Sequence, residues 1–219
     1  MTRKTEHQLR REVADVSALL WDRGWVANHD GNVTARLPGG GFVATPTGIS
    51  KRLIRSDGLI VVDATRRVLR GRAKPFSELG LHLVVYGARP DVGAVVHAHP
   101  PYATARAVAE RALPCFLPEA VVSLGAEVPV VPFTAPGAEA ERALGPFVAP
   151  FDVVMLGRHG VLAWGDDIEQ AFLRLELAEH LAKIASVGAA EPAPLPAPLL
   201  ADLLKKRAQA GLGPDGRNR

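Results

Sequence analysis

Two histidines, His97 and His99, stand at i and i+2 in the segment VVHAHP. The run from Asp91 to His99 is apolar and β-branched, and it reads as a strand. Alternate side chains of a strand leave the same face, so both imidazoles point one way, about 6.5 Å apart along the backbone. At that separation two rings can converge on one cation. A third histidine, His159, lies in LGRHGVLAWG, in a turn between strand candidates 152–156 and 160–164. Gly157 and Gly160 beside it permit close backbone approach and unusual dihedral angles. Three histidines make an open metal site of the catalytic kind, with a fourth position for water or substrate. Singly, each has a plainer reading: a His-x-His pair can be polar surface, and a turn histidine can be bonded to backbone.

Glu78, in KPFSELGLH, is the candidate acid/base. A glutamate in the first turn of a helix is often only a dipole partner. Near a cation it can also ligate the resting metal, or carry a proton once substrate displaces it. His82 is four residues on, shares the helix face and reads as a structural or supporting residue rather than a ligand. Two loops, HDGNVTAR (29–36) and ATPTGIS (44–50), combine Gly, Asn and Thr. Those types offer an anion backbone N–H groups and short side-chain donors, though they also make ordinary turns. Ser77 adds a hydroxyl beside Glu78.

The elements that must position these groups follow from periodicity. Leu9, Val13, Val16 and Leu20 mark a helix over 5–23, with Gly24 past its end. Strands are expected at 32–37, 41–45, 59–63, 91–99, 128–133, 152–156 and 160–164. Helices are expected at 77–88, with Ser77 as N-cap, at 102–111 after Pro101, at 138–148, and at 166–186. Asp166 and Glu169 resemble a capping pair for the last of these. From Gly188 the chain turns Ala- and Pro-rich, which reads as a linker or semi-rigid arm. A short amphipathic helix at 199–210 and a fraying end follow. These divide the chain into a catalytic domain, 1–187, and a linker and tail, 188–219. Several strand-to-strand steps point to an α/β fold: a single domain with a central, mostly antiparallel sheet covered by helices.

Composition excludes several function classes. At 47% hydrophobic and 22% charged, the 219-residue chain has ordinary globular usage, which excludes wholesale disorder. Lys and Arg exceed Asp and Glu by only three, 26 against 23, so no nucleic-acid partner is expected without a clustered basic face. No apolar run reaches the ~18 residues that a membrane span needs. One cysteine, Cys115, cannot form an internal disulfide, which suits a reducing cytoplasm. No GxGxxG or Walker-type loop occurs.

In combination, GNVTAR, TPTGI, KPFSE, RPDVGAVVHAHPPYATA and RHGVLAWG stand in an order and spacing that resembles the class II aldolase/adducin family. That family includes fuculose-1-phosphate aldolase and ribulose-5-phosphate 4-epimerase. The resemblance covers roughly residues 5–187. It implies a four-fold homotetramer with active sites at subunit interfaces. It also implies one divalent ion per subunit on His97, His99 and His159, with Glu78 as catalytic glutamate and resting ligand. Zinc is the expected ion, and Mn²⁺, Fe²⁺ and Co²⁺ are alternatives. Gly31, Asn32, Thr47, Gly48 and Ser77 would hold the phosphate of a small anionic sugar or keto-acid. The implied reaction is cleavage or formation of a carbon–carbon bond in a ketose phosphate through a metal-bound enediolate. Glu78 would move the proton, and burial would have to raise its pKa.

Departures from the family pattern bear on substrate. Phe76 stands where a second serine is expected, so one phosphate donor is replaced by an apolar ring. His29 takes the place of a small hydroxyl residue. The aldolase's interface tyrosine is missing from LPCFLPEAV, where Glu119 is either a cross-subunit acid or a rim carboxylate. Metal-stabilised enolates also serve decarboxylases, dehydratases and epimerases, which remain alternatives on the same scaffold. A non-catalytic, adducin-like interaction module would instead predict lost histidines and long extensions.

Overall fold

The computed structural model of the chain describes residues 4–188 and 191–217. Parts of the expected linker (189–190) and of the expected fraying end (218–219) lie outside them. Helix α1 (Glu6–Asp22) opens on a capping box made by Thr5 and Gln8. Strands β1 (Asn32–Arg36), β2 (Phe42–Ala44), β3 (Ile60–Val62) and β4 (Val68–Arg70) precede helix α2 (Leu79–Ala88). Next come β5 (Ala94–Ala98), α3 (Pro101–Val108), β6 (Leu113–Pro114), α4 (Pro118–Leu124), β7 (Glu127–Val128) and β8 (Val130–Val131). The chain closes with α5 (Ala138–Val148), β9 (Val153–Leu156), β10 (Gly160–Gly165), α6 (Ile168–Val187), α7 (Ala197–Gln209) and α8 (Gly213–Arg217).

Eight strands form one sheet in the order β4-β3-β2-β1-β5-β10-β9-β8. Every pairing is antiparallel except β8 with β9. The expected α/β fold with a mostly antiparallel central sheet is therefore the fold observed. Helices cover both faces, so central strands are apolar on both sides. Ala94, Val96 and Ala98 of β5, with Val161 and Ala163 of β10, pack toward α1, α3, α4 and α6. Val95, Leu162 and Trp164 pack toward α2 and α5. This alternation decides which way the histidines of β5 face.

Local readings differ from the structure in instructive places. Ser77 is not the cap of α2: Glu78 occupies that position, and no side chain caps the helix. The capping residue of α6 is Asp167, which accepts from the Gln170 N–H at 2.8 Å, one residue beyond the expected Asp166 and Glu169 pair. The strand expected at 128–133 is split at Pro129, which lacks an N–H for the ladder. Its first half pairs with β6 and its second joins the main sheet's edge. Cys115 is buried, and burial pushes its thiol up to about 12, leaving it a packing group.

The segment after 196 is docked. Helix α7 packs against α4. Arg207 of α7 and Arg217 of α8 reach the buried Asp152 at 2.6 and 2.7 Å. Arg89 and Arg174 face the same carboxylate at 3.1 and 3.5 Å. Four guanidinium groups hold Asp152 ionised, well below the usual carboxylate range although its burial acts the other way. No described helix is long and apolar enough to cross a membrane.

Candidate metal and catalytic centre

Register brings the centre together. Asn32 of β1 and Leu162 of β10 lie directly across from His97 of β5. Directly opposed residues of an antiparallel pair share a face, so Asn32 and His97 stand side by side, on the face that α2 covers. Glu78, at the entry to α2, meets both. Asn32 Nδ2 donates to Glu78 Oε2 at 2.8 Å, and His97 Nε2 lies 3.6 Å from Glu78 Oε1.

His99 follows the last residue of β5, and its backbone N–H donates to Trp25 O at 2.8 Å. That bond continues the extended path, so His99 stays on the face of His97. The turn from β9 to β10 delivers His159, whose N–H returns to Leu156 O at 3.0 Å. The residue in the left-handed region of this turn is Arg158, at φ +56°, and neither flanking glycine is. The glycines serve close approach. A Cβ on Gly160 would lie 2.5 Å from His99 Cδ2 and 2.6 Å from Ala98 O, and one on Gly157 would lie 2.7 Å from Phe133 N.

One ring nitrogen from each of His97, His99 and His159 lies within 4.8 Å of the others. His97 Nδ1 is 2.9 Å from Val161 O. A carbonyl only accepts, so the His97 proton sits on Nδ1 and the Nε2 lone pair faces the cluster. His97 Nε2 and His99 Nε2 are 3.1 Å apart, close to the ~3.3 Å edge of a tetrahedral zinc site. Burial lowers the pKa of His97, and burial with the neighbouring rings lowers that of His99 to about 4. Both are neutral at pH 7, the form a cation requires. The donor set therefore suits a divalent ion.

Glu78 departs from expectation. Burial raises its pKa, but the His97 and His159 rings and the Asn32 amide lower it more, and its carboxyl lies well below the usual range. Its Oε1 is 2.7 Å from His159 Nε2, so the expected ligand position and the expected base position coincide. A cleft of about 530 Å³ opens from this point, lined by Ser77, Glu78, Leu81, Phe133, Arg158 and His159 among others. Arg158 lies over the Phe133 ring and pairs with Glu110 at 3.2 Å.

The other expected site residues are placed as follows. Thr47 N–H donates to Lys74 O and Pro46 bridges Pro75, so the 44–50 loop runs beside the segment carrying Ser77. Thr47, Gly48 and Ser77 are exposed. Gly31, at φ +74°, is demanded by geometry: a Cβ there would lie 2.5 Å from Val26 Cγ1 and 3.0 Å from His97 O. His29 is exposed, and its carbonyl accepts from Lys51 Nζ at 3.1 Å. Glu119 is exposed on α4, a helix of the opposite face, away from Glu78 within the chain. Phe76 is buried with its ring edge-on to His82 at 5.1 Å.

Sequence reasoning missed Lys51. Its buried ammonium also donates to Ile49 O at 2.9 Å, tying the 29–31 loop to the 46–51 loop, and desolvation lowers its pKa to about 8. A lone lysine among Ile49, Leu53 and Ile54 in GISKRLI was the available signal.

Residues 11–186 match the family model for the class II aldolase and adducin N-terminal domain. An L-fuculose phosphate aldolase of Methanococcus vannielii is 32% identical over 174 residues, 80% of this chain and 93% of that protein. A 3-oxo-tetronate 4-phosphate decarboxylase of Escherichia coli O6:H1 is 31% identical over 187 residues, 83% of this chain and 87% of that protein. The crystal structure of YgbL from Escherichia coli superposes with a TM-score of 0.84 at 29% identity, covering 92% of this chain and 100% of that one. The chain belongs to the class II aldolase and adducin N-terminal domain family. Family aldolases are metal-dependent, and the three converging histidines are the corresponding candidate site here.

Proposed function

We propose that the protein is a zinc-dependent aldolase that makes or breaks a carbon–carbon bond in a small ketose phosphate such as fuculose 1-phosphate. The observation that carries this reading is the Glu78 carboxylate set against three converging histidines, with Oε1 2.7 Å from His159 Nε2. His97, His99 and His159 hold the ion. When bound, the ion supplies Lewis acidity to adjacent carbonyl and hydroxyl oxygens of the substrate.

Glu78 takes and returns the proton at the substrate carbon, through an enediolate. Asn32 grips Oε2, which leaves Oε1 turned toward the histidine cluster. Thr47, Gly48 and Ser77 supply donors to the phosphate from two adjoining segments, and Gly31 shapes the loop that carries Asn32. The active protein is a homotetramer in the cytoplasm, with sites at subunit interfaces, where Glu119 of a neighbouring copy serves as the acid at the aldehyde oxygen.

Phe76 favours a second reading. A buried ring stands where a phosphate-binding hydroxyl is expected, and the similarity to a 3-oxo-tetronate 4-phosphate decarboxylase is nearly as high as to an aldolase. Loss of CO₂ would leave the same enolate, which would take its proton from water with Glu78 as the relay. A panel of ketose phosphates and phosphorylated keto-acids separates the two. Aldehyde released from a ketose phosphate supports the aldolase; CO₂ from a keto-acid, with no aldehyde from any ketose phosphate, overturns it.

A further inference from the structure

A polar seam crosses the otherwise apolar contact between α2 and β1. Glu78, His82 and Tyr86 are spaced by four and share one helix face, while Asn32, Thr34 and Arg36 are spaced by two and share one strand face. Their contacts match in order. Asn32 Nδ2 donates to Glu78 Oε2 at 2.8 Å. Thr34 Oγ1 lies 2.8 Å from His82 Nδ1 and 2.9 Å from the Tyr86 hydroxyl. Arg36 donates to Tyr86 O at 3.0 Å and lies over its ring. Asn32, Thr34, His82 and Tyr86 are all buried.

Hydrogen accounting sets a direction. Tyr86 O–H finds an acceptor in Thr34 Oγ1, and Thr34 then gives its one hydrogen to His82 Nδ1. The His82 proton is thereby placed on Nε2. An ionised Glu78 only accepts, so the Asn32 amide turns Nδ2 toward it and Oδ1 away. Two buried side-chain atoms of the seam have no protein partner, His82 Nε2 and Asn32 Oδ1. One is a donor and the other an acceptor. Leaving both unmet in a buried site is costly; no direct bond joins them, so a single water bridging donor to acceptor is favoured.

We propose that His82 is a positioning residue for Glu78: held as its Nε2–H tautomer by the Tyr86–Thr34 pair, it orients Asn32 and so fixes the Glu78 carboxylate on the histidine cluster. This deepens the reading of Glu78 as proton carrier and rests on it. Burial, which lowers the His82 pKa to about 3, keeps the ring neutral in this role.

The test uses the full chain, loaded with zinc, as wild type, Thr34→Val, Thr34→Ser and Glu78→Gln. The probes are L-fuculose 1-phosphate and 3-oxo-tetronate 4-phosphate, with ¹⁵N-histidine NMR and metal analysis alongside. Thr34→Val is expected to lower kcat about 10- to 100-fold, with KM and zinc content unchanged, and Thr34→Ser to restore it. NMR is expected to find wild-type His82 neutral with its proton on Nε2, whichever substrate the protein takes. His82 protonated on Nδ1, or wild-type kcat in Thr34→Val while Glu78→Gln is inactive, overturns the seam alone. Wild-type turnover in Glu78→Gln overturns the reading of Glu78, and the seam's role with it.

Discussion

Asn32 and Glu78, 46 positions apart in the chain, meet at 2.8 Å because β1 places Asn32 directly across from His97. The amide expected to hold phosphate is engaged with the carboxylate expected to move a proton. The two roles predict different kinetics. Asn32→Ala should lower kcat about 10- to 100-fold with zinc retained, because Glu78 loses its orientation. A phosphate-binding role would mainly raise KM. Steady-state kinetics with metal analysis separates them.

Gly160 has no side chain because the histidine cluster occupies that space. Gly160→Ala would drive its Cβ to 2.5 Å from His99 Cδ2 and 2.6 Å from a backbone carbonyl. We expect a loss of about 1–3 kcal/mol of stability from overpacking, together with weaker zinc binding. Urea denaturation and zinc titration check both. A variant of wild-type zinc affinity would place the cluster further from this turn.

His82 makes the metal-free protein sensitive to mild acid. Its pKa is about 3 when folded, against 6.5 for a free histidine. Between those values the unfolded chain binds the extra proton. The stability is therefore fully present above about pH 6.5 and is lost progressively as pH falls toward 3. From pH 6.5 to 5 the loss from this ring should be about 2 kcal/mol. Urea midpoints in chelator, compared with those of His82→Leu, isolate the contribution; parallel curves for the two proteins would contradict it.

Asp152 anchors the C-terminal helices. Asp152→Asn leaves Arg174, Arg207 and Arg217 without their shared counter-charge and should cost about 3–5 kcal/mol. Trypsin should then cut at Lys205, Lys206 or Arg207 before the rest of the domain. Unchanged proteolysis would mean that α7 is held by its apolar contacts with α4.

What was legible in the sequence was local. The two-residue spacing of His97 and His99 puts both rings on one face, and the glycines around His159 give the close approach expected of them, while the unusual dihedral angle falls on Arg158 instead. The family pattern supplied Glu78. The register of Asn32 against His97 was not legible, because pairing partners 65 positions apart leave no mark in either segment. The four arginines around Asp152 come from four separate helices, Arg89 at the end of α2, Arg174 inside α6, Arg207 in α7 and Arg217 in α8, so nothing in any one of them announces the cluster. Lys51 was passed over because a lysine between Ser50 and Arg52 looks like a solvated one until its ammonium is found under two carbonyls. Ser77 lost the cap because α2 begins one residue later, which is what carries Glu78 to the histidines.

The central claim is that Glu78 moves the substrate proton beside a histidine-held ion. Its most direct test is the turnover of Glu78→Gln, loaded with one zinc per chain, on the best substrate of the panel. The account predicts that metal content and folding match wild type while kcat falls by about 10²–10⁴. A zinc-loaded Glu78→Gln that turns over at the wild-type rate would contradict it.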